Sequence, residues 1–569
     1  MVDLRAKPFY LNDEQITWVE KTISSMSLEE KIGQLFITIL TNEEDRKVEN
    51  IQKMLDTYHV GGIRYHNAPP RVIRKMAEDL QAHACVPLLI ASNCEQGGNG
   101  GMTGGTPVAC GAALSAIGTE EAVYEMGTVC AKEARAVGCN WNFAPVVDLP
   151  SNWRNTIVNL RAYNENPDDV IRFSKSFFKA MREHNIITCM KHFPGDGTEE
   201  NDQHLLMGIN NLEPDEWDAT FGKVYKALID EGVMTIMAGH IALPKYSKKL
   251  NPSLADRDIK PATLARELLH DLLRVQLGFN GLVVTDASHM IGMFGATVPR
   301  SEQVPLAIAA GCDMFLFFND KDEDFAYMMD GYKRGIITEE RLSDALHRIV
   351  GLKAAAHLHK QKEVGTLVPP ESALAVVGCE EHKAVSKKLA DKFITLVKDS
   401  EHYLPMTPEK YKRIKLVYIG AEDMVVAGTK LKTNNEEVIA ALVESLTERG
   451  FIVDAEPMEQ KGKCEEFKKK YDAVLLALNV SGFAQFNTMR VKWDMPAKQP
   501  WYCSEVPTFV VSLSFTNMLI DVPMARCYIN AYMSHREAID ATIDKMMGKS
   551  LFYGKYRDTV FCERWDTRY

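Results

Sequence analysis

The stretch from Lys191 to His204 carries a Lys191-His192 pair and then Asp202-Gln203-His204, in a segment broken by Pro194, Gly195 and Gly197. An imidazole titrates near neutrality and can both give and take a proton, and a carboxylate on its other ring nitrogen fixes the tautomer and supports the charged form. Some way downstream, Gly281-Leu282-Val283-Val284-Thr285-Asp286 is an apolar run that ends on a carboxylate. A carboxylate held by a rigid strand can attack an electrophilic carbon and later be displaced. The pattern predicts a proton donor on one loop and a nucleophile on one strand. Blander readings are an N-cap for Asp286 and an ordinary solvated loop for Asp202-x-His204. Lys191 as a Schiff-base amine and a metal site on His192, Asp202 and His204 are weaker alternatives. The lysine lacks a specific desolvating context, and the histidines lack a short helical spacing.

The elements that must position these groups alternate. From Leu28 to about Leu358, short apolar segments alternate with amphipathic helical stretches, which predicts a parallel sheet covered by helices. The expected strands are 32–38, 62–65, 88–91, 141–144, 187–190, 233–238, 282–285 and 314–316, and eight of them suggest a closed barrel. Catalytic groups in such barrels sit at the C-terminal strand ends, where loops vary over a fixed frame. The expected fold class is therefore α/β: an N-terminal (β/α)8 TIM-type barrel over 1–361, a linker at 362–372 containing Pro369-Pro370, and a smaller C-terminal α/β sandwich domain over 373–569. In the last, a helix over 381–392 precedes apolar segments 414–419, 473–478 and 508–513, with a helix over 435–449.

A chain of 569 residues should hold at least two domains. The net charge of -11, with no Lys/Arg block, argues against a nucleic-acid partner. No apolar run reaches membrane-spanning length and the N-terminus lacks a signal-like pattern, so no membrane partner and a cytoplasmic location are expected. The twelve cysteines stand singly and read as free thiols, in keeping with a reducing compartment.

Several ordered motifs together resemble glycoside hydrolase family 3, in particular its β-N-acetylglucosaminidase branch. They are Ser27-Leu28-Glu29-Glu30-Lys31-Ile32-Gly33-Gln34, Asn142-Phe143-Ala144-Pro145-Val146-Val147-Asp148, the KHFPG segment from Lys191, Met237-Ala238-Gly239-His240, and Leu277-Gly278-Phe279 leading into Thr285-Asp286. The resemblance implies a retaining exo-glycosidase that hydrolyses terminal β-linked N-acetylglucosamine. Asp286 would form the covalent glycosyl-enzyme and His204, with Asp202, would be the acid/base. It assigns sugar contacts to Lys191, His192 and Arg161, and implies no metal and no cofactor. His240 could line the pocket or be a satisfied rim histidine.

The chain departs from the family pattern at Asn93-Cys94-Glu95-Gln96-Gly97-Gly98, where Asn93 replaces the usual Asp and no Arg follows. Recognition on the O4/O6 side of the sugar, expected of Asn93 and Glu95, then rests on weaker neutral bonds. Asp196 in PGDG reads as a loop-ordering residue. In the glucosidase branch a Glu of the second domain serves as acid/base, but the comparable stretch here, 478–487, holds no carboxylate, which favours the dyad. Other readings are a β-N-acetylglucosaminide phosphorylase, a β-glucosidase of the same family, and a barrel that binds sugars without turnover. The partner expected is a β-GlcNAc-containing oligosaccharide or cell-wall fragment, and a homodimer is left open.

Overall fold

The computed structural model describes residues 2–295, 298–426, 429–431, 433–458, 463–480, 488–493 and 498–569. They pack as two units. The first comprises Met1–Thr106, Val123–Leu149 and Glu165–His382; the second comprises Pro107–Ala122, Pro150–Asn164 and Lys383–Tyr569.

The first unit is a closed barrel of eight parallel strands: β1 (Phe36–Leu40), β2 (Gly62–Tyr65), β3 (Leu89–Ser92), β4 (Trp141–Asn142), β5 (Ile187–Phe193), β6 (Thr235–Ala238), β7 (Leu282–Ala287) and β8 (Met314–Leu316). Each neighbours the next in chain order, and β8 closes onto β1. All eight overlap expected segments. The first starts later than expected, because Ile32–Gln34 belong to a helix, Leu28–Gln34. Ser27 accepts from the Glu30 N–H and the Glu30 side chain accepts from the Ser27 N–H, a reciprocal cap that commits these residues to helix before the strand can begin.

Local signals also set the entry to β5. Asn166 caps the helix Pro167–Glu183, its side chain accepting from the Asp168 N–H at 3.0 Å, and Pro167 occupies the first turn, where its missing N–H costs nothing. Asn185, at φ 57°, then reverses the chain into the strand. Before β7, the segment opened by Pro261 is a short 3-10 turn, Ala262–Leu264, followed by a wide-turn helix, Glu267–Gln276. Gly278, at φ 76°, supplies the left-handed residue that ends it.

The first unit continues through the expected linker 362–372 to His382. A buried carboxylate accounts for this. Glu133 accepts from Thr106 Oγ1 at 2.7 Å, from His382 Nδ1 at 2.7 Å and from the Gly378 N–H at 3.1 Å, so the chain beyond Pro370 is still held by the barrel unit. Segments 107–122 and 150–164, expected within the barrel domain, pack with the second unit instead.

The second unit contains a six-stranded sheet: β9 (Thr395–Asp399), β10 (Arg413–Gly420), β11 (Ile452–Asp454), β12 (Ala473–Asn479), β13 (Thr508–Ser512) and β14 (Cys527–Asn530), in the order β9-β14-β13-β12-β10-β11. Only the β9–β14 pairing is antiparallel. The central strands β12 and β13 are buried along their whole length, which explains their unbroken apolar runs. Residues 481–487, in the stretch searched for a second-domain carboxylate, lie outside the described residues.

Candidate active site

Register places the reactive groups side by side. Phe193 on β5 pairs with Ala238 on β6, and Ala238 pairs with Thr285 on β7. Lys191 and His192, Gly239 and His240, and Asp286 therefore lie at the C-terminal ends of three adjacent strands. Variable loops over a fixed frame make this end of a barrel the one that presents chemistry.

Asp286 sits next to the last residue of β7, partly accessible, and its Oδ1 accepts from the Ala287 N–H at 2.8 Å. Burial alone would raise its carboxyl. The pull of His192, His240 and His204, with the Ala287 N–H, more than offsets this and holds it below the usual value. It is thus an anion throughout the neutral range, as a nucleophile requires.

The dyad expected from sequence is formed. His204 Nδ1–H donates to Asp202 Oδ1 at 2.6 Å, and the same oxygen accepts the His204 backbone N–H at 2.8 Å. The Asp202 side chain is almost wholly buried while that of His204 is 24% exposed, so the imidazole is oriented from beneath and open above. With Nδ1 committed to the carboxylate, Nε2 is the nitrogen free to exchange a proton. This loop is joined to the one following Asp286 by main-chain bonds. The Ile291 N–H donates to the His204 carbonyl at 3.1 Å, and the Gly292 N–H to the Gln203 carbonyl at 3.1 Å. A Cβ on Gly292 would stand 2.4 Å from that Gln203 oxygen, so only glycine permits the approach.

Lys191 is buried and pairs with Glu95 at 2.7 Å. The expected sugar contacts of β5 and the glycine-rich loop thus meet one another first. Asn93 is exposed in the turn before Glu95, whose N–H donates to the Asn93 carbonyl at 2.9 Å. His192 is buried, and its Nδ1–H donates to Asp148 Oδ2 at 2.7 Å, while Asp148 Oδ1 accepts the N–H groups of His192 and Asp196. That arrangement gives Asp196 an ordered position in the loop, as read from sequence. Arg161 lies in the segment that packs with the second unit.

His240 has both ring nitrogens engaged. It is fully buried, Nε2–H donating to the Ala287 carbonyl at 3.0 Å and Nδ1 accepting from Thr263 Oγ1 at 3.0 Å. Burial pushes it below the ordinary histidine value. Its bond to the Ala287 carbonyl steadies the end of β7.

Four contributors escaped the sequence reading. Asp148, distant in the chain, orients His192. Gln203 accepts the His240 N–H through Oε1 at 2.8 Å. Arg300 holds Asp324 through two bonds of 2.7 Å and also reaches Ser288, fixing the turn after Asp286. His289, three residues beyond Asp286, is exposed and stacks on Phe317, with ring centroids 6.2 Å apart. Its closeness to Asp286 in sequence was the one available signal. Among the described residues, no group of three or more His, Cys, Asp or Glu is arranged to hold a metal ion, and no helix is long and apolar enough to cross a membrane.

Comparison with known proteins fits this geometry. Residues 27–352 match the model of the glycosyl hydrolase family 3 N-terminal domain. A beta-N-acetylglucosaminidase/beta-glucosidase of Cellulomonas fimi is 40% identical over 577 aligned residues, covering 100% of both chains. The solved structure of beta-glucoside phosphorylase BglX bound to 2FGlc is 37% identical, with a TM-score of 0.90 over 97% of this chain and 98% of that one. A glycoside hydrolase family 3 beta-N-acetylglucosaminidase from Paenibacillus sp. str. FPU-7 shares the fold, with a TM-score of 0.78 at 23% identity over 93% of this chain and 98% of that one. With the family model covering more than half of its length and a relative similar from end to end, this chain belongs to glycosyl hydrolase family 3.

Proposed function

We propose that the enzyme removes terminal β-linked N-acetylglucosamine by two displacements. Asp286 attacks the anomeric carbon while His204 Nε2–H protonates the departing oxygen; His204 then takes a proton from the acceptor that releases the sugar. Asp202 keeps the imidazole in the required tautomer. The observation that carries this reading is the 2.6 Å Asp202–His204 contact on a loop hydrogen-bonded to the one that follows Asp286. Lys191, His192, Asn93 and Glu95 are assigned to the sugar hydroxyls, and the family resemblance adds Arg161. The name of the Cellulomonas fimi relative supports N-acetylglucosamine and glucose as the sugars to test first. A cytoplasmic setting is supported by twelve cysteines that are all free.

The test is trapping with a 2-fluoro glycoside. Label on the peptide containing Asp286 is expected, and label on another carboxylate would remove Asp286 from its role. A panel of nitrophenyl β-glycosides (GlcNAc, GalNAc, glucose, xylose) ranks the sugars.

A second reading concerns the acceptor. The proposed acid/base is an imidazole, so no second carboxylate needs to stand free at the anomeric centre to repel an anion. A full-length neighbour is named a phosphorylase. Inorganic phosphate could then replace water and yield a sugar 1-phosphate. Quantifying sugar phosphate and free sugar with millimolar phosphate present decides between them; free sugar alone leaves the hydrolase.

A further inference from the structure

Arg64, on β2 between Ile63 and Tyr65, has no carboxylate partner among the described residues. Its Nη1 is buried with no hydrogen-bond partner among the described residues. The acidic groups in reach are Tyr65, Cys139 and Cys94. None is ionised near neutrality: burial pushes the Cys94 and Cys139 thiols up to about 12 and about 11, and the Tyr65 hydroxyl is shared with Cys139 Sγ at 2.9 Å. A guanidinium held this way is costly unless something anionic completes it.

The surroundings add hydrogen-bonding groups: burial pushes His66 and His289 below the ordinary histidine value. Two residues on, His66 is exposed at the C-terminal end of β2, and Arg46 donates to its carbonyl at 2.6 Å while Arg46 Nε is itself buried and unpartnered. His66 lies within electrostatic reach of Arg64 and Arg46, and His289 within reach of both His66 and Asp286. Of the carboxylates near Arg46, Asp45 is occupied by the Thr41 N–H and hydroxyl and by the Asn42 N–H, and Glu43 is exposed. Register carries Ala287 of β7 through Leu316 and Ile37 to Gly62 of β2, so Arg64 and His66 follow β2 towards the same end of the barrel as Asp286.

We infer that Arg64, with His66 and His289 at its rim, forms an oxyanion subsite that takes phosphate and delivers it to the glycosyl-enzyme. This rests on the phosphate reading above and assigns it residues. An anionic phosphate oxygen forms the bond to C1; the C1–Oδ bond to Asp286 breaks, and its electron pair returns to the carboxylate. No proton has to move in that step. Guanidinium is suited to the task because its planar donors match phosphate oxygens two at a time.

The test measures the sugar 1-phosphate to free-sugar ratio against phosphate concentration for wild type, Arg64→Met and Arg64→Lys. Each ratio is internal to one protein, so partial loss of folded enzyme does not distort it. Arg64→Met should lower the phosphate-dependent part by about 10- to 100-fold, the scale of one lost charged hydrogen bond, and Arg64→Lys should restore some of it. An unchanged ratio in Arg64→Met, with wild type making sugar phosphate, overturns the subsite and leaves phosphorolysis intact. If wild type makes free sugar only, 31P line broadening of inorganic phosphate, and then of a phosphate-bearing glycoside, separates the two ideas. Broadening lost in Arg64→Met keeps a phosphate site while the acceptor role fails, and the ligand that broadens identifies the source. No broadening overturns both.

Discussion

Strand β7 has an aspartate near each end, Asp313 buried and Asp286 partly accessible, and the two are treated oppositely. At the N-terminal end Asp313, which precedes β8, is saturated: its Oδ2 accepts from Arg274 at 2.8 Å and from the Val283 N–H at 2.8 Å, while Oδ1 accepts from Arg341, with Arg348 at 3.8 Å. At the C-terminal end, Asp286 receives one hydrogen bond among the described residues, from Ala287, and otherwise only the field of three imidazoles. The first carboxylate has nothing left to give and acts as a clamp between strands. The second is kept charged yet uncommitted, which is what a nucleophile needs.

The sharpest way to break this contrast is at Asp286. Asp286→Asn should lower turnover by about 10⁴-fold or more with little change in melting temperature, read by glycoside release and thermal unfolding. Asp313→Asn should do the reverse, costing about 3–5 kcal/mol in denaturant titrations because guanidinium groups are left uncompensated, while kinetic constants per folded molecule hold. Loss of activity in proportion to folded protein would fit; loss beyond it would erase the distinction between the two ends.

Smaller effects sharpen it. His204→Ala should slow substrates with sugar leaving groups by about 10²- to 10⁴-fold and spare the first step with very acidic nitrophenolates. Equal losses on every leaving group would mean that the pair only holds its loop. Gly292→Ala, which forces apart the Gln203 and Gly292 backbones, should cost about tenfold in kcat, the scale of small misplacements of catalytic groups. Least of all, Lys353 is wholly buried beside Gln34 and is pushed down to about 7 by burial. Its proton is bound in the unfolded chain and absent from the folded one between about 7 and its ordinary value, so stability rises with pH across that window. Lys353→Met should flatten the slope and stabilise the protein at pH 7 by about 1–3 kcal/mol.

The sequence was most readable where one local signal decides the outcome. Apolar runs marked all eight barrel strands, and Asp202-x-His204 needed only a turn to close on itself. It was least readable where partners are remote or where a contact is missing. Asp148 meets His192 only because β4 and β5 are neighbours, and nothing local announces that pairing. The start of β1 was misjudged because Ile32 is apolar in either state and the Ser27 cap decides. Segments 107–122 and 150–164 lie between barrel strands in the sequence, yet they cluster with the unit that resumes at Lys383, a choice made by tertiary contacts. Arg64 could not be singled out at all, since the lack of a partner for its Nη1 among the described residues has no sequence signature.

The two main-chain bonds joining Gln203 and His204 to Ile291 and Gly292 have a consequence for mutational drift. They belong to the backbone, so side-chain replacement along this seam cannot delete them, Gly292 excepted. Leu206 and Ile291 on the same seam are 52% and 51% exposed. Both can vary while the spacing of the His204 and Asp286 loops is inherited unchanged, which makes this the place where a library could retune leaving-group preference without dismantling the proposed chemistry.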